Sequence, residues 1–134
     1  MNEQKINVCR ALASVFANQD EVTDEEAAFV GRAALDLGLD EGELKLVQQA
    51  LATPLDLKPL LATITDNGLR QFLFRRIVAA TLIDEQLNEH DKNALATTAE
   101  SFGWNQAVVQ EYVTHMKQGL EWEKKGEDII SRLA

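Results

Sequence analysis

The residues best suited to chemistry in this sequence are carboxylates, and they gather in two short stretches. Asp20, Glu21, Asp24, Glu25 and Glu26 place five acids within seven residues, and Asp84, Glu85, Glu89, His90 and Asp91 crowd a second stretch; neither contains a lysine or arginine. Like charges held together favour either proton uptake or capture of a hard cation, and oxygen ligands suit calcium or magnesium. The candidate ion ligands are Asp20, Glu21 and Glu26 in the first stretch and Asp84, Glu85 and Asp91 in the second. Asp24, Glu25 and Glu89 are placed to face a basic partner. A plainer reading covers the same residues, because acids in the first turn of a helix already gain from capping and from the helix dipole. Neither stretch has the glycine and terminal glutamate of an EF-hand loop.

Other reactive patterns are absent from the sequence. His90 and His115 are far apart, with no CxxC or HExxH pattern around either. Ser14, Ser101 and Ser131 sit in helical surroundings without an identifiable base, and no glycine-rich phosphate loop occurs. No catalytic or cofactor-binding residue is assigned, and the chain is read as a non-enzymatic module. One alternative stays open, a metal-dependent enzyme or sensor using Asp84, His90 and Asp91. The lone Cys9 reads as a small buried apolar residue. Of the pair Arg75 and Arg76, one is expected to form an ion pair with an acid of either turn.

The elements that must position these groups are helices. Apolar residues recur three or four apart almost throughout, and strict alternation over a strand length is missing. With 134 residues, 46% of them hydrophobic and only two prolines, the chain has the material for one core. Twenty-two acids against thirteen bases give a net charge of -9, which repels nucleic acid and anionic lipid and attracts cations and basic partners. No apolar run approaches a membrane span, and residues 1–10 lack the pattern of a signal peptide, so a cytoplasmic location is expected.

Thr23 with Glu26, and Asp40 with Glu43, have the spacing of capping boxes. Gly38 is placed to stop the intervening helix in the left-handed conformation. A first helix is expected from about Glu3 to Asn18, a short one opened by Asp56 with Pro59 in its first turn, and a strong break at Asn67 and Gly68. From Leu69 the pattern begins again. A constant shift of 65 residues sets Val8 on Leu73, Leu12 on Ile77, Thr23 on Asn88, Gly38 on Gly103, Asp40 on Asn105 and Leu44 on Val109 without a gap. Periodicity alone would align apolar positions but not also the stop glycines and the caps around them. The expectation is a single all-α domain of about seven helices: repeat one over about 3–65, repeat two over about 66–118, packed about a pseudo-twofold axis, then an extension over 119–134.

That extension has no counterpart in the first half. Gly119 and Gly126 allow a bend, so the tail is expected to fold back onto the domain. Were the helix to run straight, Trp122, Ile129 and Leu133 would form a strip rotated away from Val109, Val113, Met116 and Leu120, available to a partner or a second copy. A structural subunit that homo-oligomerises through its C-terminal helix is therefore a further alternative.

Two helical units, each with an acidic turn that leads through an apolar anchor into a capped helix, resemble the TerB-like tellurite-resistance family. The same fold occurs in the N-terminal region of a membrane-anchored J-domain co-chaperone. Asp84, Leu87, Asn88 and Asp91 follow the family pattern, whereas the first turn has Gln19 at the position of the leading aspartate and Asp20 one place later. The resemblance spans about Ile6 to Met116. It implies an all-helical bundle linked to tellurite resistance and stress response, binding a divalent metal and working as a scaffold with membrane-associated partners, and it makes an ion site in the first unit weaker than in the second.

Overall fold

Thr23 and Asp40 open their helices as their spacing predicts. The Thr23 hydroxyl accepts from the Glu26 amide at 3.1 Å while the Glu26 carboxylate accepts from the Thr23 amide at 2.9 Å. Asp40 and Glu43 make the same exchange at 2.8 and 2.9 Å. Each box satisfies amides that the first turn leaves unpaired. The computed structural model describes residues 2–17, 22–83 and 89–133, with side chains at all of these except 2, 82–83 and 89–91. Within them lie seven helices and no strand: α1 (Asn2–Ala17), α2 (Asp24–Asp36), α3 (Glu41–Ala52), α4 (Leu57–Ala62), α5 (Asn67–Ile83), α6 (Glu89–Ser101) and α7 (Gln106–Ser131). The fold is all-α.

Two helices form the centre. In α1, Val8, Cys9, Ala11, Leu12, Ala13, Val15 and Phe16 are all buried, so the helix is covered on nearly every side. Its neighbours are α2, α3, α4 and α5. The second central helix, α5, buries Leu73, Phe74, Ile77, Val78 and Ala80 and is flanked by α1, α2, α6 and α7. Each fully buried leucine or isoleucine here removes enough apolar surface from water to contribute about 2–3 kcal/mol.

Gln4, Asn7 and Ser14 lie on one face of α1 and hold the connections around α4. Gln4 accepts from the amides of Thr65 and Asp66, both at 3.0 Å, and donates to the Thr65 hydroxyl. Asn7 donates to the Thr63 hydroxyl at 2.9 Å, and the buried Ser14 hydroxyl accepts from the Leu55 amide at 3.1 Å. Two local expectations need correction here. Asp56 makes no side-chain capping bond to α4, because the chain leading into that helix is anchored by Ser14 instead. The break placed at Asn67 and Gly68 falls earlier, since Asp66 accepts from the Leu69 amide at 2.9 Å and draws Asn67 and Gly68 into the first turn of α5.

Gly38 and Gly103 have φ of 75° and 69°, and both close their helices in one way. The amides of Leu39 and Trp104 reach back to the carbonyls of Ala34 and Ala99, and those of Leu37 and Phe102 to Ala33 and Thr98. The extension does not fold back. α7 is one uninterrupted helix of 26 residues that continues past its last buried residue, Val113, so neither Gly119 nor Gly126 breaks it. A glycine permits a bend, but backbone hydrogen bonding continues the helix where no packing partner draws the chain aside. Among the described residues no helix is long and apolar enough to cross a membrane.

Candidate functional site

The first acidic stretch is described from Asp24 onward. Asp24 and Glu25 are exposed in the first turn of α2, where the helix dipole favours them. Glu26 is committed to the capping box through its carboxylate. Asp20 and Glu21, like Asp84 and Glu85, lie outside the described residues. Glu89, His90 and Asp91 begin α6, but their side chains are outside the description too. Among the described residues no group of three or more His, Cys, Asp or Glu side chains is arranged to hold a metal ion.

Arg76 finds its acid away from both turns. It pairs with Asp36 at the end of α2, where Arg32 also approaches Asp36 at 3.3 Å. The hydrogen bond from Arg76 is the main reason the Asp36 carboxyl is held below its usual range. The Arg76 guanidinium also lies 4.7 Å from the centre of the Phe72 ring, so it couples α5 to α2 while stacking on its own helix. Arg75 is exposed. Cys9 is fully buried, and burial pushes its thiol up to about 12, with the charge of Arg76 partly opposing the shift. A thiol so protected from ionisation is no nucleophile. His115 is exposed on α7.

The structure also brings together residues that lie outside every site expected from the sequence. Phe74, Trp104, Val108, Val109 and Tyr112 line an open cleft of about 420 Å³ between α5 and the start of α7, with Gln71, Arg75 and Asn105 at its edge. Phe74 meets Trp104 edge-on at 5.3 Å between ring centres and Tyr112 at 5.6 Å. Phe102 supports Trp104 from behind at 5.2 Å, and Arg70 stacks on Phe102 at 4.8 Å. Asn105 is fixed as the cap of α7, accepting from the amides of Ala107 and Val108. Val108 remains 60% exposed beside the half-buried Trp104 and Tyr112.

Side-chain bulk differs between the two halves of the chain at this place. At a shift of 65 residues, Cys9 corresponds to Phe74, Leu39 to Trp104 and Val47 to Tyr112. With the smaller set, α3 lies closely along α1 and buries Val47 completely. With the larger set, α7 meets α5 over a shorter stretch and the rings stand between the helices. Six of the eight aromatic residues fall after Gly68, and that asymmetry is the sequence signal that points to this half. The cleft can hold an apolar side chain or ring against aromatic faces, and Arg75, Gln71 and Asn105 can meet polar groups at its edge.

The other predicted contact residues lie at the far end of α7. Trp122 is 77% exposed and Ile129 48%, with Ile130 and Leu133 also open to solvent. Trp122 shares a shallow groove with Ala79, His115, Met116 and Leu120. Comparisons with models of protein families, with curated proteins and with solved structures find no match to this chain.

Proposed function

We propose that this chain is a non-enzymatic binding or scaffold module that holds an apolar segment of a protein partner in the cleft between α5 and α7. The observation that carries the reading is the open cleft in which the half-buried Trp104 and Tyr112 stand over the buried Phe74, beside the exposed Val108. A contiguous apolar patch rimmed by polar residues is a common mark of an interaction surface, and aromatic side chains are common anchors there. The net charge of -9 favours a partner whose apolar anchor is flanked by lysine or arginine.

The same reading takes the domain as TerB-like, with two helical repeats about a pseudo-twofold axis. In its favour, α1 and α5, α2 and α6, and α3 and α7 begin 65 residues apart, and the two glycine turns close with equivalent hydrogen bonds. On that resemblance the setting is cytoplasmic stress response or tellurite resistance, with a membrane-associated partner. A divalent cation at the acidic turns belongs to the same proposal, with Asp24 and Glu25 exposed at the edge of the first.

Panning a displayed peptide library on the purified protein tests the cleft. Enriched peptides should carry an aromatic or large aliphatic anchor between basic residues, and Trp104→Ala or Tyr112→Ala should abolish their binding. Enrichment of acidic peptides, or binding indifferent to both substitutions, would overturn the reading. For the ion, amide NMR shifts during calcium, magnesium, manganese and zinc titrations should localise to residues 20–26 and 84–91. Unchanged spectra at millimolar ion would remove the cation and leave the partner.

A further inference from the structure

We infer that the projecting half of α7 pairs with the same segment of a second copy, antiparallel, about a twofold axis near Lys124. One heptad line runs down the helix through the exposed His115, Gly119 and Trp122, the half-buried Gly126, and the exposed Ile129 and, through the closing turn, Leu133. Alternating steps of four and three residues keep such a line on one side of a helix and form a coiled-coil seam.

The line is self-complementary in only one direction. Run antiparallel, Trp122 of one copy lies on Gly126 of the other, Ile129 on Gly119, and Leu133 on His115, so every large aliphatic or indole side chain meets a smaller one or an imidazole. A Cβ added at Gly119 or Gly126 meets nothing within 4 Å, so both glycines present open hollows to a neighbouring helix. Run parallel, indole would stand on indole and glycine on glycine.

Charge selects the same arrangement. Lys117, Lys124, Lys125 and Arg132 balance Glu121, Glu123, Glu127 and Asp128, so segment 117–133 is neutral while the chain carries -9. A parallel pair would set two acidic bundles side by side. The antiparallel pair sends them to opposite ends, about 24 Å apart along the helix, roughly three screening lengths at physiological salt. Near the axis Lys125 meets its own counterpart, as does Glu123, so added salt strengthens the pair. Trp122, Ile129, Ile130 and Leu133 expose 77%, 48%, 67% and 80% of their surface. Covering them removes on the order of 500 Å² per copy, about 1,000 Å² in all, which reaches the lower bound for a specific interface. The aromatic cleft lies beyond the paired segment and stays open, so the pairing holds whatever the cleft binds.

Sedimentation velocity on the full chain at micromolar concentrations tests this. A species of twice the monomer mass is expected, its dissociation constant falling as sodium chloride rises. Trp122→Ala should weaken it at least tenfold. Gly126→Leu is the decisive variant, because leucine raises helix propensity and surface apolarity yet fills the hollow for Trp122; it should give monomers of undiminished helicity by circular dichroism. The double variant Trp122→Gly, Gly126→Trp exchanges knob and hollow and should restore the dimer. A wild-type chain that stays monomeric, whether or not the strip then binds another protein, or a Gly126→Leu chain that still dimerises, would overturn the proposal.

Discussion

Replacing Gly38 or Gly103 by alanine measures how far the two helix-closing turns are built alike. Both residues sit in the left-handed region, at φ 75° and 69°. An alanine held there costs about 1–2 kcal/mol, from the approach of its Cβ to the following carbonyl. Removing a glycine also takes freedom from the unfolded chain and returns about 0.4–1 kcal/mol. The net loss is about 1 kcal/mol at each site. Because an added Cβ meets nothing within 4 Å at either glycine, no packing term separates the two values. They should be equal, and since the glycines lie in separate turns the double variant should lose about 2 kcal/mol. Asparagine tolerates this conformation better and should cost less than alanine at both positions. Urea unfolding followed by circular dichroism reads these values directly, with an unchanged slope showing that only stability has moved. A cost at one glycine and none at the other, or asparagine worse than alanine, would refute a shared left-handed closure.

Three further outcomes follow from single contacts. The Asp36 carboxyl is held below its usual range chiefly by the Arg76 hydrogen bond, so its contribution is present above the unfolded value of about 3.9 and lost as pH falls through the folded one. Asp36→Asn should therefore lower the melting temperature at neutral pH by a margin that closes in acid; a margin independent of pH would argue against the pair. Cys9, with its thiol pushed up to about 12 by burial, should resist a thiol reagent at about pH 8 in the native protein and label at once in denaturant. Ser14→Ala leaves the Leu55 amide without its acceptor and should cost about 1–2 kcal/mol, with faster hydrogen exchange at Leu55 as the local readout.

Signals confined to one turn of chain were legible in the sequence. Thr23 with Glu26 and Asp40 with Glu43 form capping boxes because the three-residue spacing itself brings side chain to amide. Gly38 and Gly103 close helices because few other residues accept their φ. The core residues Val8, Leu12, Leu73 and Ile77 are buried because helical periodicity sorts them to the inner face. Asp56 fails as a cap for a reason no local pattern contains. Its neighbour Leu55 is held by Ser14, forty-one residues earlier, and that bond fixes the backbone leading into α4.

What periodicity cannot supply is the partner of a stripe. It identifies Trp104, Tyr112 and Val109 as residues on a common face, and the same spacing marks Leu39, Val47 and Leu44 in the first half. Whether such a face closes depends on the volume of what stands opposite. Cys9 and Val47 are both fully buried in the first half, whereas Phe74 and Tyr112 line an open cleft in the second. The tail follows the same logic. Gly119 and Gly126 lower the cost of a bend, but a bend is stable only where it buries more apolar surface than a straight helix does. Beyond Val113 the bundle covers Met116 in part and shares a shallow groove with α7 at Ala79, but Trp122, Ile129 and Leu133 stay exposed. The cleft and the exposed strip thus depend on side-chain volume across a pair of helices and on the length of one helix, and both must be read from pairs of elements.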